Sequence, residues 1–314
     1  MRKRTRLALV ATVWGMAIAL STTALAHKCP QRLLKSPAPL PRSAALLDAN
    51  RVAVWVTNRG VLGRHPDTGN AGFYFPAGSN KTVLYTAGLW VAGKVDGEVR
   101  TACADYNSEY QPGLILPDGT ADDPSKPRYR VYRIRRGDSA DPSSPNYNPD
   151  YAEWPVADGA PVDESGAPLI LGDQTVWCVM NDLNERGHNQ AYNSAPLGLE
   201  VRWLAWAFAD TTSPLGQTVF LHITLVNKGS RPIEDAYVGF FLDPDVGSHN
   251  DDGTGCDTSL ALTYAYNRAP SDGVYGTRVP AGDWYSCRDL PYRLPGSRPF
   301  SSCTRRWPIE KRSA

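Results

Sequence analysis

From Asn50 to about Asn267 the chain is broken every few residues by Gly, Pro, Asn or Asp, and between the breaks apolar residues alternate with polar ones. With 27 glycines and 26 prolines in 314 residues, no stretch beyond residue 26 holds a helical period for long. Short alternating runs bounded by turn residues specify strands and hairpins. Val52, Val54 and Val56 fall on one face ahead of an Asn-Arg-Gly turn. Asp96-Gly97, between Val95 and Glu98, predicts a tight hairpin. Val201, Trp203, Ala205 and Ala207 alternate with Arg202 and Trp206, and residues 219–247 supply two strands around a Lys-Gly-Ser-Arg-Pro turn. The expected fold is all-β, with two β-sandwich or jelly-roll-like units at 50–116 and 171–277. The Pro/Asp/Ser-rich residues 117–170 offer one strand, in RYRVYRIR, and otherwise read as a linker or long loops. A structureless loop of that length is out of place inside a compact domain, so a boundary is placed there. Residues 278–314 have no clean period and read as a disordered, basic tail.

The N-terminus adds a constraint of location. Arg2, Lys3, Arg4 and Arg6 precede the apolar run LALVATVWGMAIAL, and Ala24-Leu25-Ala26 places small residues before His27. This is the pattern of a cleavable secretory signal over residues 1–26, followed by an N-terminal extension at 27–49. The run is shorter than the roughly 20 residues of a spanning helix, and no later segment is apolar enough, so no transmembrane anchor is expected in the mature chain. Residues around Cys29 make a poor lipobox. The expected destination is extracellular or the cell surface, with the periplasm as the other compartment the signal allows.

Charge is uneven. Four cations at the N-terminus and a surplus of five beyond residue 277 leave residues 27–277 at −8 within a net +1. An acidic body excludes nucleic acid as a partner, because that requires basic surface to displace counterions. Six cysteines in an exported chain admit one or two long-range disulfides, and none has zinc-site spacing.

Few motifs carry chemistry. Gly88–Lys94 matches G-x4-G-K, but Val95 replaces the Ser/Thr that binds Mg²⁺, and the segment reads as a strand hairpin. The acidic stretch from Asp243 to Asp257 is the most suggestive. Asp243, Asp245, Asn250, Asp251, Asp252 and Asp257 place oxygen ligands at short spacing among glycines, as Ca²⁺ requires. The spacing is not that of an EF-hand. The alternative is a polar loop whose Asp and Asn side chains bond their own backbone. The five histidines form no HExxH, and no G-x-S-x-G elbow is present. His222 reads as a sheet-face residue. Trp90, Trp154, Trp177, Trp203 and Trp206 fit either a core or a sugar-stacking platform.

Landmarks in order along residues 50–277 resemble a family of exported bacterial proteins of Bacteroidetes and related phyla. They are Asn58-Arg-Gly60, Phe75-Pro-Ala-Gly-Ser79 with Lys81, Ala87–Gly93, Gly172-Asp-Gln174 with Trp177 and Asn181-Asp182, Pro196–Val201, and Asp243–Gly247 through Asn250–Asp252 to Gly255-Cys-Asp257. Members of that family often end in a type IX secretion sorting domain, which is not seen here. The likeness stops soon after Asn267, which implies a truncated or frame-shifted reading frame. The resemblance implies a surface or secreted protein and carries no activity with it.

The expected function is therefore an exported structural, adhesive or binding module, with an extracellular glycan or protein as partner and Ca²⁺ as a stabilising ion. A secreted hydrolase of polysaccharide or protein and a carbohydrate-binding module are the alternatives. No catalytic residue is assigned.

Overall fold

The alternation read from the sequence becomes ladder geometry in a computed structural model that describes residues 43–188, 192–269 and 271–275, plus the paired dipeptides Ala8–Leu9 and Arg305–Arg306. The cleavage site at 26, the extension up to 42 and nearly all of the 278–314 tail lie outside the described residues.

Seven strands come first: β1 (Ala44–Leu47), β2 (Ala53–Thr57), β3 (Val61–Leu62), β4 (Phe73–Tyr74), β5 (Thr82–Leu84), β6 (Thr86–Val95) and β7 (Glu98–Cys103). They belong to one antiparallel sheet with β6 at its centre and β1 on the free side of β2. Five more follow: β8 (Gln111–Pro112), β9 (Tyr132–Arg135), β10 (Gln174–Asn181), β11 (Leu199–Ala207) and β12 (Val219–Asn227). These form a second antiparallel sheet in the order β12-β11-β10-β9, with β8 at the end of β10. The next strand, β13 (Glu234–Asp243), leaves that sheet and runs along β6 of the first, from Glu234 opposite Lys94 to Asp243 opposite Thr86. A separate two-stranded hairpin, β14 (Asp252–Asp257) with β15 (Leu262–Asn267), ends the described fold.

The hairpin anticipated at Asp96-Gly97 is present. Both residues have positive φ, 52° and 82°, which is the backbone twist that lets Val95 pair directly with Glu98.

The boundary expected at 117–170 does not separate two cores. Val54, Val56, Leu89 and Val91 of the first sheet pack in one cluster with Cys178, Met180, Val201, Trp203 and Ile223 of the second. Val238, Phe240 and Leu242 of β13 pack against that cluster, and the Phe240 ring lies 6.3 Å from that of Trp203. The two expected units thus share one core and exchange strands: β8 of the first pairs in the second sheet, and β13 of the second pairs in the first. Strands β12 and β13, adjacent in sequence, form an arch between sheets instead of a hairpin, because each has an apolar face to bury in the same core.

Residues 117–170 are likewise not a linker. Tyr129, Trp154 and Ala160 cover the outer face of the second sheet, formed by Tyr132 and Ile134 of β9 with Trp177, Val179 and Leu204. Each large side chain buried this way contributes on the order of 2 kcal/mol. The short helix α1 (Pro149–Ala152) is capped by Asn148, whose side chain accepts from the Asp150 N–H.

The same segment closes one side of the sandwich, where β1 and β9 are the edge strands. On β9, Asp150 accepts from the Arg133 N–H at 3.0 Å, Asp138 from the Arg135 N–H at 2.6 Å, and Asn148 donates to the Arg133 carbonyl at 3.0 Å. On β1, the Leu46 carbonyl accepts from Gln174 at 3.0 Å and from Arg133 at 3.3 Å, and the Asp48 N–H donates to Gln174 at 2.8 Å. Side chains thus occupy the positions another strand would take, which blunts both edges against pairing.

Candidate functional site

The acidic segment singled out by sequence does not assemble as one cluster. Asp257 stands at the far end of β14 from Asp252, about 16 Å away at the rise of a strand. It is engaged in its own turn, accepting from the Ser259 and Leu260 N–H groups. Asn250 is exposed. Asp243 ends β13 and accepts from the Tyr106 hydroxyl at 2.7 Å. Asp245, Asp251 and Asp252 remain, and the structure adds Asp272, which the spacing gave no reason to select. Asp272 is 4% exposed and accepts from the N–H groups of Ser248, Val274 and Tyr275, tying two loops together.

This corner is electrostatically crowded. Burial pushes the Asp252 carboxyl up to about 6, assisted by Asp245, Asp251 and Asp272 and opposed by the Val246 N–H. Asp245 is raised by burial and by Asp243, with His249 opposing. Oδ1 of Asp251 and Oδ1 of Asp252 are buried with no hydrogen-bond partner. Among the described residues, no three of His, Cys, Asp or Glu stand at metal-holding spacing. A cation would therefore have to draw these carboxylates together.

A second polar cluster was not apparent in the sequence. His188, at the end of the short helix α2 (Glu185–His188), is 1% exposed and places Nδ1 3.3 Å from Oε1 of Glu109, which is fully buried. Its Nε2 donates to the Asp182 carbonyl at 2.7 Å. Burial, which lowers the imidazole pKa, is outweighed by Glu109, so the ring is held on its charged side. Glu109 accepts from the Cys103 N–H at 2.8 Å and the Thr101 hydroxyl at 3.1 Å. The Asp182 carboxylate accepts from the N–H groups of Leu197 and Leu199 at 2.6 and 2.7 Å. Glu109 and His188 are 79 positions apart, so no spacing rule could join them. With its acid sealed from solvent, the pair fastens two loops to the end of β7.

The tryptophans divide by position. Trp154, Trp177 and Trp203 are buried. Trp90 and Trp206 are half-buried on opposite outer faces, where Trp90 stacks on Phe241 and Trp206 on Phe220, with ring centroids 5.7 and 5.3 Å apart. They form no row. Cys103, Cys178 and Cys256 are free thiols, and the other three cysteines lie outside the described residues. Among the described residues no helix is long and apolar enough to cross a membrane.

A cleft of about 540 Å³ lies on the closed side of the sandwich, between β1 and β9. Its walls include Leu46, Trp55, Arg133, Asp138, Tyr147 and Asn148. The Trp55 Nε1 is buried with no hydrogen-bond partner. Compared with known proteins, the chain matches no family model, no curated protein and no solved structure.

Proposed function

We propose that this chain is an exported binding or adhesive module of the cell surface, and that Ca²⁺ orders its acidic corner. The observation that carries the reading is the use made of residues 117–170. This stretch is spent on covering one sheet face and on capping two edge strands, β9 with Asp138, Asn148 and Asp150 and β1 with Arg133, joined there by Gln174 of β10. A sandwich with blunted edges can be displayed at high local density without sheet-to-sheet aggregation. The N-terminal signal pattern supports export, and the buried Trp154, Trp177 and Trp203 support a structural core over a tryptophan platform. The buried, unpartnered oxygens of Asp251 and Asp252 support the cation.

The test is to express the full chain in a Gram-negative host and to determine the N-terminus and compartment of the product by mass spectrometry after fractionation. The expected product begins at His27 and lies outside the cytoplasm. An uncut chain confined to the cytoplasm contradicts the reading.

A further inference from the structure

We infer that the cleft between β1 and β9 is a binding site for an uncharged saccharide. This rests on the reading of the chain as an exported binding module and names the ligand class that module would take.

The chemistry of the walls selects the ligand by what it disfavours and by what it offers. Arg133 and Arg135 are matched in number by Asp138 and Asp150, and Arg135 is already paired to Asp48 at 2.5 Å, so the cleft has no net charge to hold an ion. An extended peptide adding a strand is disfavoured, because the edge positions of β9 and β1 it would need are occupied by Asp138, Asn148, Asp150 and Gln174. A wholly apolar ligand would leave the guanidinium and carboxylate groups of the walls without partners.

What the cleft offers is two aromatic side chains with planar hydrogen-bonding groups around them. Tyr147 is 41% exposed at the rim, and Trp55 lies in the wall. The Trp55 ring is half-buried there, which leaves part of its face for a ligand to stack on. Arg133 spends one nitrogen on the Leu46 carbonyl, and Asp138 spends Oδ2 on Arg135 and Asn148. Among the described residues the other guanidinium nitrogens of Arg133 and Oδ1 of Asp138 have no protein partner, which leaves donors and an acceptor for vicinal hydroxyls. Aromatic rings bury the C–H faces of a sugar while such groups read its hydroxyls, and the volume falls within the ~300–1,000 Å³ of ligand clefts.

This cleft is not legible in the sequence, because Trp55 sits mid-strand among valines, whereas Arg133 and Tyr147 lie in the Pro/Asp/Ser-rich segment.

The experiment is calorimetric titration of the mature chain with neutral cello-, xylo-, manno- and maltohexaose. Sulfated heparin hexasaccharide and an alternating Val/Thr hexapeptide serve as the ionic and peptide arms. At least one neutral hexasaccharide should bind. Trp55→Ala, which removes the ring from the wall, should weaken it about 10-fold. Tyr147→Ala, at an exposed position, should weaken it about 10-fold. Trp206→Phe, on another face, should leave affinity unchanged. The inference is overturned if none of the four neutral sugars binds, if only the heparin or peptide arm binds, or if affinity survives both Trp55→Ala and Tyr147→Ala. A mature chain found outside the cell that binds no sugar rejects the cleft and leaves the export reading standing.

Discussion

Two stretches of this protein share a composition of Asp, Gly, Ser and Pro, residues 117–170 and residues 243–275, yet the paired acids of the first and the trio Asp245, Asp251 and Asp252 of the second live under different conditions. In the first, each buried acid has a cation or a set of donors. Asp150 is 2.9 Å from Nε of Arg130 and accepts from the Arg133 N–H at 3.0 Å. Asp122 is 2.6 Å from Nζ of Lys126 and accepts from the Tyr129 hydroxyl at 2.5 Å, and Asp158 faces Arg128 at 3.4 Å. In the second, Asp252 is crowded by Asp245 and Asp251, while Asp272 beside them is held by the N–H groups of Ser248, Val274 and Tyr275. The difference comes from the run KPRYRVYRIRR at 126–136, which has no counterpart around 243–275, where Arg268 is the one arginine. Acidic loops of similar composition can therefore be locks or unrelieved charge, depending on whether basic residues fold back onto them.

The largest test of that contrast is a pair of substitutions. Asp150→Ala removes a carboxylate that is 2% exposed, leaves the Nε of Arg130 without its partner while Glu153 still holds the other side of the guanidinium, and strands the Arg133 N–H. Breaking such a buried pair should cost about 3–5 kcal/mol in denaturant unfolding. Asp252→Ala, measured in EDTA, should cost nothing or stabilise, since it relieves repulsion. Equal losses at the two positions would erase the distinction.

A smaller effect separates the regions by pH. Lys126 and Tyr129 hold the Asp122 carboxyl down at about 2, below its unfolded value. Its stabilisation is therefore present above about pH 4 and is lost as the pH falls through 2. Asp122→Asn should flatten the stability loss seen between pH 4 and 2. Asp252 has the opposite sign, because a folded pKa of about 6 lies above its unfolded value. The corner should gain stability as pH falls from 7 toward 4, and Asp252→Asn should abolish that gain. Melting curves across both windows, in EDTA, read the two slopes.

The smallest expected effect concerns His188, whose charged ring faces Glu109. Its raised pKa makes the contribution complete below about pH 6.5 and lost as pH rises through the folded value. His188→Gln should therefore lower the melting temperature more at pH 6 than at pH 9. An equal drop at both values would mean that the ring acts by packing alone.

Local features of this fold were legible in sequence. The alternation that put Val201, Trp203, Ala205 and Ala207 on one face is realised with all four at or below 1% exposure. The Asp96-Gly97 hairpin depended on two residues and their φ preference, and it formed where expected. What failed was everything set by contacts between distant positions. β13 carries the same pattern whether it pairs with β12 or crosses to β6, so nothing local announces the arch. In 117–170 the apolar residues Tyr129, Tyr132 and Trp154 are scattered between turns, and their partners Trp177 and Leu204 come later in the chain. The acidic loop was recognised as unusual, but Asp272, its most buried acid, enters from a turn 20 residues beyond Asp252. Trp55 was hidden for a related reason, since its cleft exists only after β9 arrives beside β1.

Hydrogen exchange read by mass spectrometry on the mature chain, in EDTA and again in 2 mM CaCl₂, addresses the contrast between the two acidic regions most directly. Amides of residues 245–275 should become markedly slower to exchange with Ca²⁺, while those of 117–170, already neutralised by their own arginines and lysine, should not change. Identical exchange in both regions with and without the ion would contradict the account.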